Sequence, residues 1–143
     1  MTATDRAVEL VEIAAAAAAD KLASGIIAYD VSDQLVITDA FLLCSAANDR
    51  QVKSVVDEVE VKLRVAGAKP VRREGEREGR WVLLDYLDIV VHVQRADARL
   101  EYKLESLWKD CPLIPLPEAV TAGGPAASAG GGAAGGNVGG DQR

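Results

Sequence analysis

From Ala7 onward the chain repeats apolar residues at helical spacing. Ala7, Leu10, Val11, Ala14, Ala18 and Leu22 fall on one face, behind Thr4 or Asp5 as a cap, and Ser24-Gly25 ends the element. The period then changes. Residues 26–31 are a short β-rich run closed by Ser32-Asp33-Gln34, and a second strand is expected from about Leu35 to Ser45, pairing with the first as a hairpin. Asn48 is placed to cap a long helix, with Gln51 three residues on reaching back as in a capping box. Val52, Val55, Val56, Val59, Leu63 and Val65-Ala66 make its buried stripe, and Gly67 is the expected C-cap.

A third, marginal strand is expected over 69–73, before a charged turn over 72–79 in which Gly75 and Gly79 permit positive φ. Residues 80–85 and 88–94 carry the strongest strand signals, and the second, apolar on both alternating sets, reads as a central strand covered on both faces. Asp97 is a candidate cap for a last short helix with Leu100, Leu104, Leu107 and Trp108 on one face. Cys111-Pro112 stops it, and Pro115 and Pro117 keep the chain extended. The order α-β-β-α-β-β-β-α predicts an α/β fold, a mixed β-sheet of about five strands flanked by helices.

Composition divides this picture in two. Nine of the 13 glycines fall in the last 21 of 143 residues, so the folding unit is expected over 1–116 and a disordered Ala/Gly-rich tail over 117–143. The formal charge is −6, and setting aside Glu118, Asp141 and Arg143, two acids and one base, leaves −5 in the domain. Nucleic acid is then a poor main partner, since counterion-release binding needs an electropositive face, and a basic protein is the better expectation. Cys44 and Cys111 form no CxxC and the chain has one histidine, so a metal site is not expected and a reducing cytoplasm is. The alanine-rich start carries Asp5, Glu9, Glu12 and Asp20 without a basic leader, which does not read as a signal peptide, and no apolar run is long enough for a membrane helix.

No GxxxxGK[ST] or GxGxxG is present. Ser45, Asn48 and the following helix start are candidates for holding an anion, capping being the plainer role for Asn48. Asp85 and Asp88 flank a tight turn and could share a cation, with Asp30 and Asp39 as candidate further ligands; turn formation explains them equally well. His92, in an apolar strand, reads as a core or subunit-interface histidine, and Cys44 as a small core residue. The more suggestive feature is Trp81, Tyr86, Tyr102 and Trp108 within 28 residues, beside Asp85, Asp88, Glu101 and Glu105. Such a set is a candidate protein-binding patch, or simply fills the space between the sheet and the last helix.

C-S-A-A-N-D-R-Q (44–51), R-E-G (73–75), G-R-W-V-L-L-D-Y-L-D-I-V-V-H-V (79–93) and Y-K-L-E-S-L-W (102–108) together resemble the ribosomal silencing factor family, RsfS or Iojap, in order over about residues 5 to 113. The resemblance implies a nucleotidyltransferase-like fold without transferase activity and without a cofactor. It implies binding to the large ribosomal subunit through its ribosomal protein fourteen, steric block of small-subunit joining, and repression of translation in starved or stationary cells. It also implies a homodimer when free. Carried over by motif, the partner-binding residues are Trp81, Asp85, Tyr86 and Asp88, with Arg73 and Glu74, and more weakly Tyr102, Leu107 and Trp108. Leu87 stands where the family usually has a small residue and adds to this set; Ala46 stands where it commonly has glycine. The residues alone leave open a Mg-dependent nucleotidyl- or phosphotransferase using Asp85 and Asp88, and a plain dimerisation module.

Overall fold

The computed structural model describes residues 2–75 and 78–121; Glu76 and Arg77 of the charged turn and residues 122–143 of the tail lie outside them.

Helix α1 (Asp5–Asp20) starts on Thr4, whose Oγ1 accepts from the Ala7 N–H at 3.1 Å. Its buried side is mostly alanine, which lets α2 (Asp49–Val65) approach closely. Leu22, expected on that side, is 77% exposed at φ +66 because the helix has already ended at Asp20. At the start of α2, Asn48 Oδ1 accepts from the Gln51 N–H at 2.9 Å. Gln51 reaches one residue past the cap: its Oε1 accepts from the Ala47 N–H at 2.6 Å, and its Nε2 donates to the carbonyls of Lys21 and Leu22 at 3.0 and 3.1 Å. One side chain thus fastens the end of α1 to the beginning of α2. At the other end Gly67 follows the cap Ala66 with φ +91, and Arg6 of α1 donates to the Ala66 carbonyl at 2.8 Å. Val65, placed by spacing in the buried stripe, points to solvent at the last turn.

Strands β1 (Ser24–Asp30), β2 (Ala40–Ala46), β3 (Arg72–Gly75), β4 (Trp81–Asp85) and β5 (Ile89–Arg95) form one sheet in the order β1-β2-β5-β4-β3. Only β2 and β5 run parallel; the other neighbours are antiparallel. The expected α/β architecture with a mixed five-stranded sheet is therefore present, with the 88–94 run at its centre. Strand β2 begins at Ala40 rather than Leu35, the preceding loop being closed by the Val31 N–H on the Asp39 carbonyl at 2.9 Å. The expected third strand is present but shifted along the chain: β3 runs over Arg72–Gly75 rather than 69–73, taking in Glu74 and Gly75 of the expected turn. All four are exposed, so it is an edge strand held by backbone pairing to β4 rather than by an apolar pattern.

Side-chain alternation gives the sheet two unlike faces. Ala40, Leu42, Cys44 and Ala46 of β2, with Ile89, Val91 and Val93 of β5 and Leu84 of β4, join α1 and α2 in the main core. Tyr29, Val31, Phe41 and Leu43 form a smaller cluster on the opposite face, where Val90 and Trp108 pack against them. That face is covered by α3 (Ala96–Tyr102) and a 3-10 helix, Leu104–Trp108. The apolar spacing of 100–108 suggested one helix, but Lys103 takes φ +51 and breaks it, leaving Leu100 and Leu107 exposed while Trp108 turns inward. Arg95, not Asp97, occupies the N-cap of α3; Asp97 instead receives both Nε and Nη2 of Arg95, at 2.6 and 2.8 Å.

The chain after Trp108 runs along β1: the Asp30 N–H donates to the Pro112 carbonyl at 2.8 Å and the Ile114 N–H to the Ala28 carbonyl at 2.9 Å. A final turn, α4 (Glu118–Thr121), buries Val120 in the main core. Described structure therefore continues past the expected boundary at 116, because Ile114, Leu116 and Val120 bring apolar side chains back to α1 and β1. Among the described residues no helix is long and apolar enough to cross a membrane.

Candidate functional site

Strand β4 points Trp81, Leu83 and Asp85 to the face away from α1 and α2. The ladders fix the rows: Trp81 beside Gln94 and Ser45, Leu83 beside His92 and Leu43, Asp85 beside Val90 and Phe41. The cover from α3 and the 3-10 helix stops over Phe41, whose ring lies 5.6 Å from that of Trp108. Trp81, Leu83 and Asp85 are left partly exposed, the Asp85 side chain at 14%. This uncovered half of the face is the candidate site.

Asp85 organises the turn that follows. Its Oδ1 accepts from the Leu87 N–H at 2.9 Å and its Oδ2 receives Arg72 Nη2 at 3.2 Å. The Tyr86 N–H bonds the Ile89 carbonyl at 2.9 Å, and between them Leu87 is forced to φ +72 with its side chain 56% exposed. Asp88 is exposed beside it. Tyr86 departs from expectation: it faces the helices, is only 5% exposed, and its hydroxyl has no hydrogen-bond partner among the described residues. Burial pushes its pKa up to about 12. Its ring is core, not contact surface.

Arg73 and Glu74 also separate, because neighbours on a strand point to opposite faces. Arg73 pairs with Leu84 in the ladder and its Nη1 holds Glu60 of α2 at 3.1 and 3.2 Å, so it belongs to the helix side. Glu74 sits beside Leu83 on the open face. Arg72, which sequence reasoning missed, joins it there: its Nε lies 3.4 Å from Glu74 Oε2, and it is the ladder partner of Asp85. The signal was the period of two across 72–74, obscured because the expected strand ended at Arg73 and the expected turn began at Arg72.

Tyr102 is exposed at the far end, with the Arg80 guanidinium 6.0 Å from its ring centroid. Leu107 is exposed on the 3-10 helix; Trp108 is chiefly a lid on Phe41, with an indole Nε1 that has no hydrogen-bond partner among the described residues. His92 lies beneath Trp81, ring centroids 5.2 Å apart, and 6.2 Å from Phe41. Burial, and secondarily the charge of Arg99, pull its pKa down to about 4, so it is a neutral core histidine at physiological pH. Cys44 is wholly buried, which pushes its thiol up to about 12 against an opposing effect of Arg99.

The four aspartates proposed for a cation do not converge. Asp30 accepts from the Ala3 N–H and from Ser32, Asp39 accepts from the Thr4 N–H at 2.9 Å, and Asp85 is engaged with Leu87 and Arg72. Among the described residues no group of three or more His, Cys, Asp or Glu is placed to hold a metal ion.

A second residue that sequence reasoning missed is Arg99, 5% exposed despite its charge. Its Nη1 donates to the Gly25 carbonyl at 2.7 Å and to Ser45 Oγ at 2.8 Å, and its Nε to Glu105 Oε2 at 3.1 Å. Ser45 is thereby committed to Arg99. Nothing in the charge pattern distinguishes this arginine from its exposed neighbours.

The family model described as "Ribosomal silencing factor during starvation" matches residues 4–133. The Bacillus subtilis protein named Ribosomal silencing factor RsfS is 41% identical over 107 residues, 75% of this chain and 91% of that protein. The Chromobacterium violaceum protein of the same name is 36% identical over 100 residues, 70% and 82% of the two chains. A crystal structure of a Chromobacterium violaceum protein superposes with a TM-score of 0.68 at 36% identity, covering 71% of this chain and 84% of that one. One from Bacillus halodurans gives 0.66 at 35%, covering 76% and 98%. With a match that spans the β4–turn–β5 unit, Arg99 and Trp108 alike, the chain belongs to the RsfS family of ribosomal silencing factors.

Proposed function

We propose that the uncovered face of the sheet docks on a basic protein of the large ribosomal subunit, ribosomal protein fourteen, and that the bound chain blocks joining of the small subunit and so represses translation in starvation. The observation that carries this reading is the placement of Trp81, Leu83 and Asp85 in one open row with the Leu87–Asp88 tip beside it. Trp81 and Leu87 supply apolar contact, while Asp85, Asp88 and Glu74 meet basic groups of the partner. An anchor of this kind dominates a standard interface of about 800 Å² per partner.

The reading is one of binding rather than catalysis: Asp85, the residue a transferase would need on a metal, is engaged in holding its own turn. A cytoplasmic location, a homodimer in the free protein and a nucleotidyltransferase-like ancestry of the fold belong to the same proposal and rest on the family. Trp81→Ala, with retention of the fold checked by circular dichroism, is expected to weaken co-sedimentation with large subunits by about 2 kcal/mol, roughly thirtyfold. Saturating parent protein should lower the yield of joined ribosomes in a subunit-mixing assay; undiminished joining would sink the proposal.

A further inference from the structure

The one parallel strand pair, β2 and β5, ends at Ala46 and Arg95, and in open α/β sheets the crevice outside the carboxyl ends of parallel strands is where small ligands bind. A cleft of ≈ 410 Å³ lies at that place, among Ser24, Gly25, Ser45, Ala96, Arg99 and Lys103, with Glu105 and Ser106 on its rim. Its volume is in the range of small-molecule sites. The cleft is separate from the Trp81 row of the ribosome-facing proposal and does not depend on it.

Its chemistry is specific. Arg99 forms a buried cationic floor held rigidly by Gly25 and Ser45, with Nε on Glu105. Glu105 offsets that one charge. Lys103 is a second cation, and among the described residues it has no ion-pair partner. Its left-handed backbone, φ +51, directs the chain out of α3 at the mouth of the cleft. Ser24 and Ser106 add hydroxyl donors, and the exposed Leu100 supplies an apolar wall. A site with one uncompensated positive charge, hydroxyl donors and an apolar side suits a small organic molecule that ends in an oxyanion.

We propose that this cleft binds the phosphate or carboxylate end of a small organic metabolite, with Lys103 as the principal counter-charge. Amide chemical shifts of the full chain, titrated with adenosine monophosphate, with succinate and with adenosine as the neutral control, test it and separate the two oxyanion sources. Saturable shifts confined to residues 24–25, 45 and 96–106 are expected with at least one of the two anions and none with adenosine. Lys103→Asn, which removes the ammonium while tolerating the left-handed backbone, should raise the Kd at least tenfold. Shifts scattered over the surface, or an affinity unchanged in Lys103→Asn and in the pocket-filling Ser106→Trp, would show adventitious ion binding only and overturn the proposal.

Discussion

The Trp81 indole stands over the His92 imidazole at an interplanar angle of 72°, so an aromatic of the open face rests on a buried, uncharged histidine. Neither ring nitrogen of His92 has a hydrogen-bond partner among the described residues, and its pKa is held near 4 by burial and then by Arg99. In the unfolded chain the same group titrates near 6.5. Between those values the unfolded state binds more protons, so stability is full above about pH 6.5 and falls as the pH drops toward 4, by up to about 3 kcal/mol. Urea unfolding across that range should show the decline, and His92→Phe should flatten its upper part, between pH 6.5 and 5, where carboxylates contribute little.

Leu87 is held in the left-handed region by the Asp85 carboxylate. A left-handed conformation costs a non-glycine residue about 1–2 kcal/mol, so Leu87→Gly is expected to leave stability unchanged or raise it by up to about 1 kcal/mol. The same change should weaken large-subunit binding. Leu22→Gly, at φ +66 and remote from the open face, serves as the control: stability should respond likewise, and binding should not.

Arg99 ties the start of β1, the end of β2 and the 3-10 helix through one guanidinium. Arg99→Met removes the cation and leaves Glu105 and the Gly25 carbonyl unpaired. Destabilisation of about 3–5 kcal/mol is expected in chemical denaturation. Pairing it with Glu105→Gln should recover part of the loss; a double variant as unstable as the single one would mean that the carboxylate is not what suffers.

Tyr86 carries a hydroxyl into the helix-side core without a hydrogen-bond partner among the described residues. Tyr86→Phe should be neutral or stabilising by about 1–2 kcal/mol. Because the ring does not reach the open face, the variant should bind large subunits as the parent does, which separates this tyrosine from Trp81 five residues earlier.

Elements with a strong period and a cap were legible from the residues alone: Thr4 and Asn48 cap their helices as spacing requires, and the doubly apolar 88–94 run is the central strand. What escaped were places where backbone pairing or an isolated left-handed residue overrides side-chain pattern. Strand β3, expected over 69–73, has no buried side chain to fix its bounds and lies at Arg72–Gly75, and Lys103 breaks a helix that Leu100, Leu104 and Leu107 would otherwise continue. The site was legible as a segment and illegible as a surface. Motif order placed Asp85, Tyr86, Leu87 and Asp88 together, but the pleat and the turn send Tyr86 inward, split Arg73 from Glu74, and bring in Arg72.

The two margins of the sheet carry a consequence for a protein that acts when growth has stopped. The β1 margin is occupied by residues 112–114, where Pro112 has no N–H to offer a neighbour, and the β3 margin is four exposed residues, three of them charged. Among the described residues, the edge a passing strand could extend is short and charged. Edge-to-edge pairing between copies of the chain is thereby disfavoured even where the protein accumulates.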